Sequence, residues 1–184
     1  MAVLTRLVAI ALGSILFTSN AMADTQCNGV LSGKVKGSIV VNAGDFCVLG
    51  GANVSGGVRV NEGGVLIVCA STINGGVVSN GALNILLGAG EDEKPSGIDC
   101  PGNTIHGGVQ ISNTGPGILQ PAPSIAVERA VVSGAVVLTG NKGPIVVAND
   151  TIAGGLICRD NAFNADDEGQ PSSITGGIQC TFGP

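Results

Sequence analysis

Val54-Ser55-Gly56-Gly57-Val58 returns 19 residues later as Ile73-Asn74-Gly75-Gly76-Val77. Outward from this pair the same unit recurs: a β-branched residue, a variable one, Gly-Gly or a relaxed form of it, then an apolar residue. It stands at Val35-Lys36-Gly37-Ser38-Ile39, Ile105-His106-Gly107-Gly108-Val109 and Val132-Ser133-Gly134-Ala135-Val136. It stands again at Ile152-Ala153-Gly154-Gly155-Leu156 and Ile174-Thr175-Gly176-Gly177-Ile178. The first glycines fall at 37, 56, 75, 107, 134, 154 and 176, at intervals of 19, 19, 32, 27, 20 and 22. A unit of this length that recurs along a chain marks stacked supersecondary units, each touching its neighbours in sequence.

Within the unit apolar residues alternate, as in Val58-Arg59-Val60, which is a strand period and not a helical one. Glycine at the corners permits tight bends and close backbone stacking, and β-branched residues suit a pleated, buried face. The 31 glycines among 184 residues follow no every-third-residue period, which excludes collagen. Charged residues are 11% of the chain and hydrophobic ones 44%, a balance unlike that of disordered chains. The expected fold is all-β: a single-stranded parallel β-helix, or β-solenoid, of about seven coils with three loop insertions.

On these seven units the chain resembles the short right-handed β-helices of bacterial secreted and cell-envelope proteins. It is similar in coil style to pectate-lyase-like solenoids and in coil length to the polymer-forming bactofilins. The resemblance covers about residues 30 to 182 and implies architecture, not activity. A left-handed helix of hexapeptides, with coils of about 18 residues, is the nearest alternative. The observed intervals and the lack of a clean six-residue register speak against it.

Residues 1–23 read as a secretory signal peptide. Arg6 precedes an apolar run, Leu7 to Phe17, and Ala21-Met22-Ala23 forms an A-x-A cleavage site. The run is shorter than the roughly 20 residues that a membrane-spanning helix needs. Cleavage leaves residues 24–184 as one disulfide-stapled domain; Arg6 departs with the leader, so the net charge moves from −5 to −6. That sign opposes nucleic acid and anionic lipid as partners. The expected location is the periplasm, the cell envelope or outside the cell.

Six cysteines in an exported chain form an even set for an oxidising compartment, with 15 pairings open in principle. The repeat narrows the choice. Cys158 and Cys180 each follow the first glycine of their unit by four residues, so they share a position in consecutive coils, one strand spacing apart. Cys27 and Cys47 are likewise about one coil apart, and Cys69 with Cys100 closes the base of an insertion. Cys27–Cys47, Cys69–Cys100 and Cys158–Cys180 are the predicted pairs.

The insertions run roughly over 88–103, 114–129 and 159–172. The first and third carry Glu91, Asp92, Glu93 and Asp99, and Asp160, Asp166, Asp167 and Glu168. Carboxylates in such loops could hold a divalent cation, although neither run has the spacing of a known calcium loop. The plainer reading is that they keep an apolar solenoid soluble and unassociated. The middle insertion is uncharged and Pro-rich, and is expected to lie extended over the wall.

Beside the Gly pairs the repeat stacks two columns of side chains. One is Lys34, Asn53, Thr72, Thr104, Val131, Thr151, Ser173; the other is Lys36, Ser55, Asn74, His106, Ser133, Ala153, Thr175. They resemble the double Thr column of ice-binding solenoids, but Thr is a minority and Lys34, Lys36 and His106 interrupt it. His106 is the single histidine, and no nucleophile motif surrounds it. Phe46, Phe163 and Phe182 are the aromatics beyond the leader, few for a carbohydrate-cleaving groove.

The expected function is therefore non-catalytic: an exported solenoid serving as a structural or surface-recognition module for a protein or glycan surface, without a cofactor. Cys180 lies close to the end of the sequence, leaving little chain to cap the last coil, so end-to-end self-association is also expected. A cation-binding protein or effector is the alternative, ahead of an ice-binding protein or a small polysaccharide-active enzyme.

Overall fold

The computed structural model describes residues 24–88, 100–119 and 121–183. The proposed leader at 1–23, and Glu91, Asp92, Glu93 and Asp99, lie outside these described residues. Among the described residues there are twenty strands and no helix, and every strand pairing is parallel.

With strands numbered in chain order, the eight-stranded sheet is β1 (Thr25–Gln26), β3 (Ile39–Val41), β5 (Val58–Val60), β8 (Val77–Asn80), β11 (Val109–Ser112), β14 (Val136–Thr139), β17 (Leu156–Arg159) and β20 (Ile178–Gln179). The twelve-stranded sheet contains two long strands, β2 (Gly29–Val35) and β4 (Phe46–Val54), which pair along most of their length. It forks at β4. From Phe46–Gly50 one arm continues through β6 (Val65–Cys69), β9 (Asn84–Leu87), β12 (Ile125–Glu128), β15 (Ile145–Ala148) and β18 (Ala165–Asp166). From Asn53 and Val54 the other arm continues through β7 (Thr72–Ile73), β10 (Asn103–Ile105), β13 (Ala130–Val132), β16 (Thr151–Ile152) and β19 (Ser173–Ile174).

The chain thus lays down three ladders in rotation, two of them arms of one sheet. The repeat predicts the parallel stacking residue for residue. Val35, Val54, Ile73, Ile105, Val132, Ile152 and Ile174 form one continuous column of partners. Ile39, Val58, Val77, Val109, Val136, Leu156 and Ile178 form another. Both columns point into a single apolar core, and from Ile39 to Leu156 their members are almost wholly buried. Ser79 is the odd member of the next inward column: it is paired with Val60 and Ile111, and among the described residues its buried hydroxyl has no partner.

The corner glycines are required by space. A Cβ on Gly75 would lie 2.6 Å from the Gly57 nitrogen, and one on Gly107 would lie 2.5 Å from the Gly76 nitrogen. Backbone stacks directly on backbone there, and no side chain fits between the coils. The outer corners use a different device: Ala70, Arg129 and Asn149, and on another edge Asn113 and Asp160, adopt the left-handed conformation with φ between 51° and 56°.

Disulfides join Cys27 to Cys47, Cys69 to Cys100 and Cys158 to Cys180, with Cα separations of 5.4, 5.0 and 4.7 Å. These are the pairs the coil spacing predicts. The middle insertion lies across the outer surface of the β6–β9–β12 arm, where Leu119 and Ala122 pack on Leu86, Ala126 and Ile67. Asn84 holds it there: its Nδ2 donates to the Pro123 carbonyl at 3.0 Å, and its Oδ1 accepts from the Ile118 nitrogen at 2.8 Å. The short stretch after Cys180 adds one further rung, Phe182 pairing in parallel with Ala165. Residues 181–183 turn back on β18: the Ala165 nitrogen donates to the Thr181 carbonyl at 3.1 Å, and the Gly183 nitrogen donates to the Ala165 carbonyl at 2.8 Å.

Candidate functional site

Among the described residues no loop covers the outer surface of the arm that ends in β19, and the two side-chain columns lie on it. Strand pairing aligns Lys34, Asn53, Thr72, Thr104, Val131, Thr151 and Ser173 in one line. The second line is set by equivalent backbone bonds one coil apart. The nitrogens of Ser55, Asn74, His106, Ser133, Ala153 and Thr175 donate to the carbonyls of Val35, Val54, Ile73, Ile105, Val132 and Ile152, at 2.9 to 3.0 Å. Strand geometry spaces the members of a column by about 4.8 Å and separates the columns by about 6.6 Å.

From Asn53 to Thr175 these twelve positions carry no lysine, arginine, aspartate or glutamate; Lys34 and Lys36 stand together at one end. At one end of the face three side chains are held by one another or by the wall. The Asn74 amide donates to Asn53 Oδ1 at 3.2 Å and to the Val54 carbonyl at 2.9 Å, and Ser55 Oγ accepts from the Gly37 nitrogen at 2.8 Å. The face is thus a registered grid of mostly short side chains, free of Lys, Arg, Asp and Glu from Asn53 to Thr175.

No family model, curated protein or solved structure matches this chain. Its chemistry is read from its own residues. His106 is exposed in the second column, between the coils that carry Asn74 and Ser133. Among the described residues no three of His, Cys, Asp and Glu come together as a metal-binding group, and no cysteine is free. Asp166 Oδ1 accepts from the Glu168 nitrogen at 2.8 Å and Asp167 Oδ1 from the Gly169 nitrogen at 3.0 Å, so both carboxylates shape their own turn. Asp160 is exposed at a left-handed corner on another edge.

A second set of polar residues lines the inside of the corner between the two arms of the forked sheet. Each accepts from the backbone of the coil before it. Ser71 Oγ takes the Ala52 nitrogen at 2.9 Å, Asn103 Oδ1 takes the Ser71 nitrogen at 3.0 Å, Asp150 Oδ1 takes the Ala130 nitrogen at 2.8 Å, and Ser172 Oγ takes the Asp150 nitrogen at 3.0 Å. Asp150 is 3% exposed, and burial pushes its carboxyl up to about 8 despite those hydrogen bonds, with a smaller upward push from the buried Glu128. Sequence reasoning, which looked for acids in loops, missed both Asp150 and Glu128. The available signal was the repeat itself, which sets Asp150 at the position of Ser71 and Asn103.

Proposed function

We propose that this chain is an exported right-handed parallel β-helix whose work is recognition, carried by the uncovered polar face and involving no bond-making step. The observation that supports this most is the grid from Asn53 to Thr175: twelve side chains, none of them Lys, Arg, Asp or Glu and eleven of them short, in two registered columns on a stapled wall. A preorganised face loses little conformational entropy when it docks on an extended protein or glycan surface. The leader-like residues 1–23 and three disulfides support export. The 19 to 22 residue coils support the right-handed winding.

The test is co-sedimentation of the oxidised protein with isolated cell-envelope fragments. Ser133→Glu and Thr151→Glu place charge on the exposed face without touching the core, so each should weaken binding by about tenfold at an unchanged Tm. Undiminished binding by both variants, or no binding by the parent, rejects the face as the docking surface.

A further inference from the structure

Phe163 is 51% exposed on the third insertion, and the segment that carries it is held on both sides. Asn161 Oδ1 accepts from the Asn141 nitrogen at 2.9 Å, and Asn161 Nδ2 donates to the Leu138 carbonyl at 3.0 Å. The Ala162 nitrogen donates to the Asn141 carbonyl at 2.8 Å, and beyond Phe163 the Ala165 nitrogen is bonded to Thr181. Cys158, at the base, is bridged to Cys180. The ring is therefore presented to solvent by a fixed loop.

In front of it is a groove of about 170 Å³ walled by Arg159, Asp160, Asn164 and Thr181. Among the described residues the Asp160 carboxylate and the Asn164 amide make no side-chain hydrogen bond. Arg159 makes only a long one, 3.5 Å to Gln179 Oε1. An aromatic plane beside forked, planar hydrogen-bonding groups matches the two surfaces of a sugar: a C–H face that stacks on the ring, and neighbouring hydroxyls bridged by carboxylate, amide or guanidinium. The volume is below the roughly 300 Å³ at which ligand pockets usually begin, so it suits one ring and not a chain. One cation and one anion line it together, which gives a charged sugar no net attraction.

We infer that this groove binds a single neutral pyranose unit of a glycan, its ring stacked on Phe163 and its hydroxyls held by Asp160 and Asn164. The inference goes beyond the polar face: it assigns a second, separate site whose ligand class is read from the groove alone. It is tested by following the backbone amides of the oxidised protein by NMR during titration with methyl β-glucopyranoside, methyl β-galactopyranoside and N-acetylglucosamine.

The expected result with at least one of these sugars is saturable shifts confined to 159–165 and 181. Phe163→Ala and Asp160→Gly, glycine keeping the left-handed corner at 160, should each weaken that binding by about tenfold or more at an unchanged Tm. No saturable shift with any of the three, shifts confined to other parts of the molecule, or full affinity in Phe163→Ala overturns it. The envelope assay separates the two readings. Envelope binding without sugar binding rejects the groove and leaves the face, whereas sugar binding by the groove with no envelope binding rejects the face and leaves the groove.

Discussion

Asp150 shows what a repeat position demands of a single residue. The inner corner needs a side chain that accepts a hydrogen bond from the coil before it, and Ser71, Asn103 and Ser172 meet that need without charge. Asp150 meets it as an acid whose carboxyl is pushed up to about 8 by burial. In the unfolded chain the same group titrates near 3.9. Between these values the unfolded state releases the proton more readily, so this group's contribution to stability is fully present below about pH 4 and is lost as pH rises towards about 8. Asp150→Asn, which reproduces the Asn103 arrangement, is expected to raise Tm at pH 8 and to flatten the decline between pH 5 and 8; thermal unfolding across that range checks it. A variant that melts like the parent at every pH would remove Asp150 as the source. The acid was invisible as a special residue because its burial follows from the corner, which becomes a defined place only once the arms of the forked sheet are known.

Among the elements, the middle insertion is the one whose role was most open to reading. Its lack of charge and its prolines predict an extended path over the wall; it does lie on the wall, but through a series of bends. A further signal lay in the strands beneath. Ile85-Leu86-Leu87, Ile125-Ala126-Val127 and Ile145-Val146-Val147 have lost the in-out alternation of Val58-Arg59-Val60, as strands buried on both faces do. What could not be read is the anchor, because Asn84 reaches a carbonyl 39 residues away and resembles any polar residue at a strand end. Asn84→Ala leaves buried backbone groups of the insertion without their partner. It should lower stability by about 2 kcal/mol and open residues 115–123 to proteolysis; calorimetry with limited trypsin-independent digestion, by a protease that cuts apolar sites, checks both. The fork at β4 had no signal at all, since a strand that bends through Gly50 and Gly51 and one that breaks there have the same composition.

For the molecule as a whole, the disulfides divide responsibility along the axis. Each bridges neighbouring coils, with sequence separations of 20, 31 and 22 residues. Stability in a stacked array is a sum of local terms, so a lost staple is felt next to where it stood. The double variant Cys158→Ala/Cys180→Ala is expected to lose about 2 to 4 kcal/mol of local stability. Hydrogen exchange should quicken across 173–183 while strands β8 and β11 keep their protection; uniform loss along the chain would contradict this one-dimensional behaviour. The pairing of cysteines was legible because the repeat measures distance along the axis, and the polar face was legible for the same reason. The sugar-sized groove was not, since Phe163 and Asp160 belong to an insertion outside the repeat. The same bridges also set how the molecule bears a load. A pull on its two ends unwinds one coil after another, but the three covalently closed loops contribute no slack. The tether lengthens only through the stretches outside the bridges, chiefly 48–68 and 101–157, while the bridged stretches contribute no length.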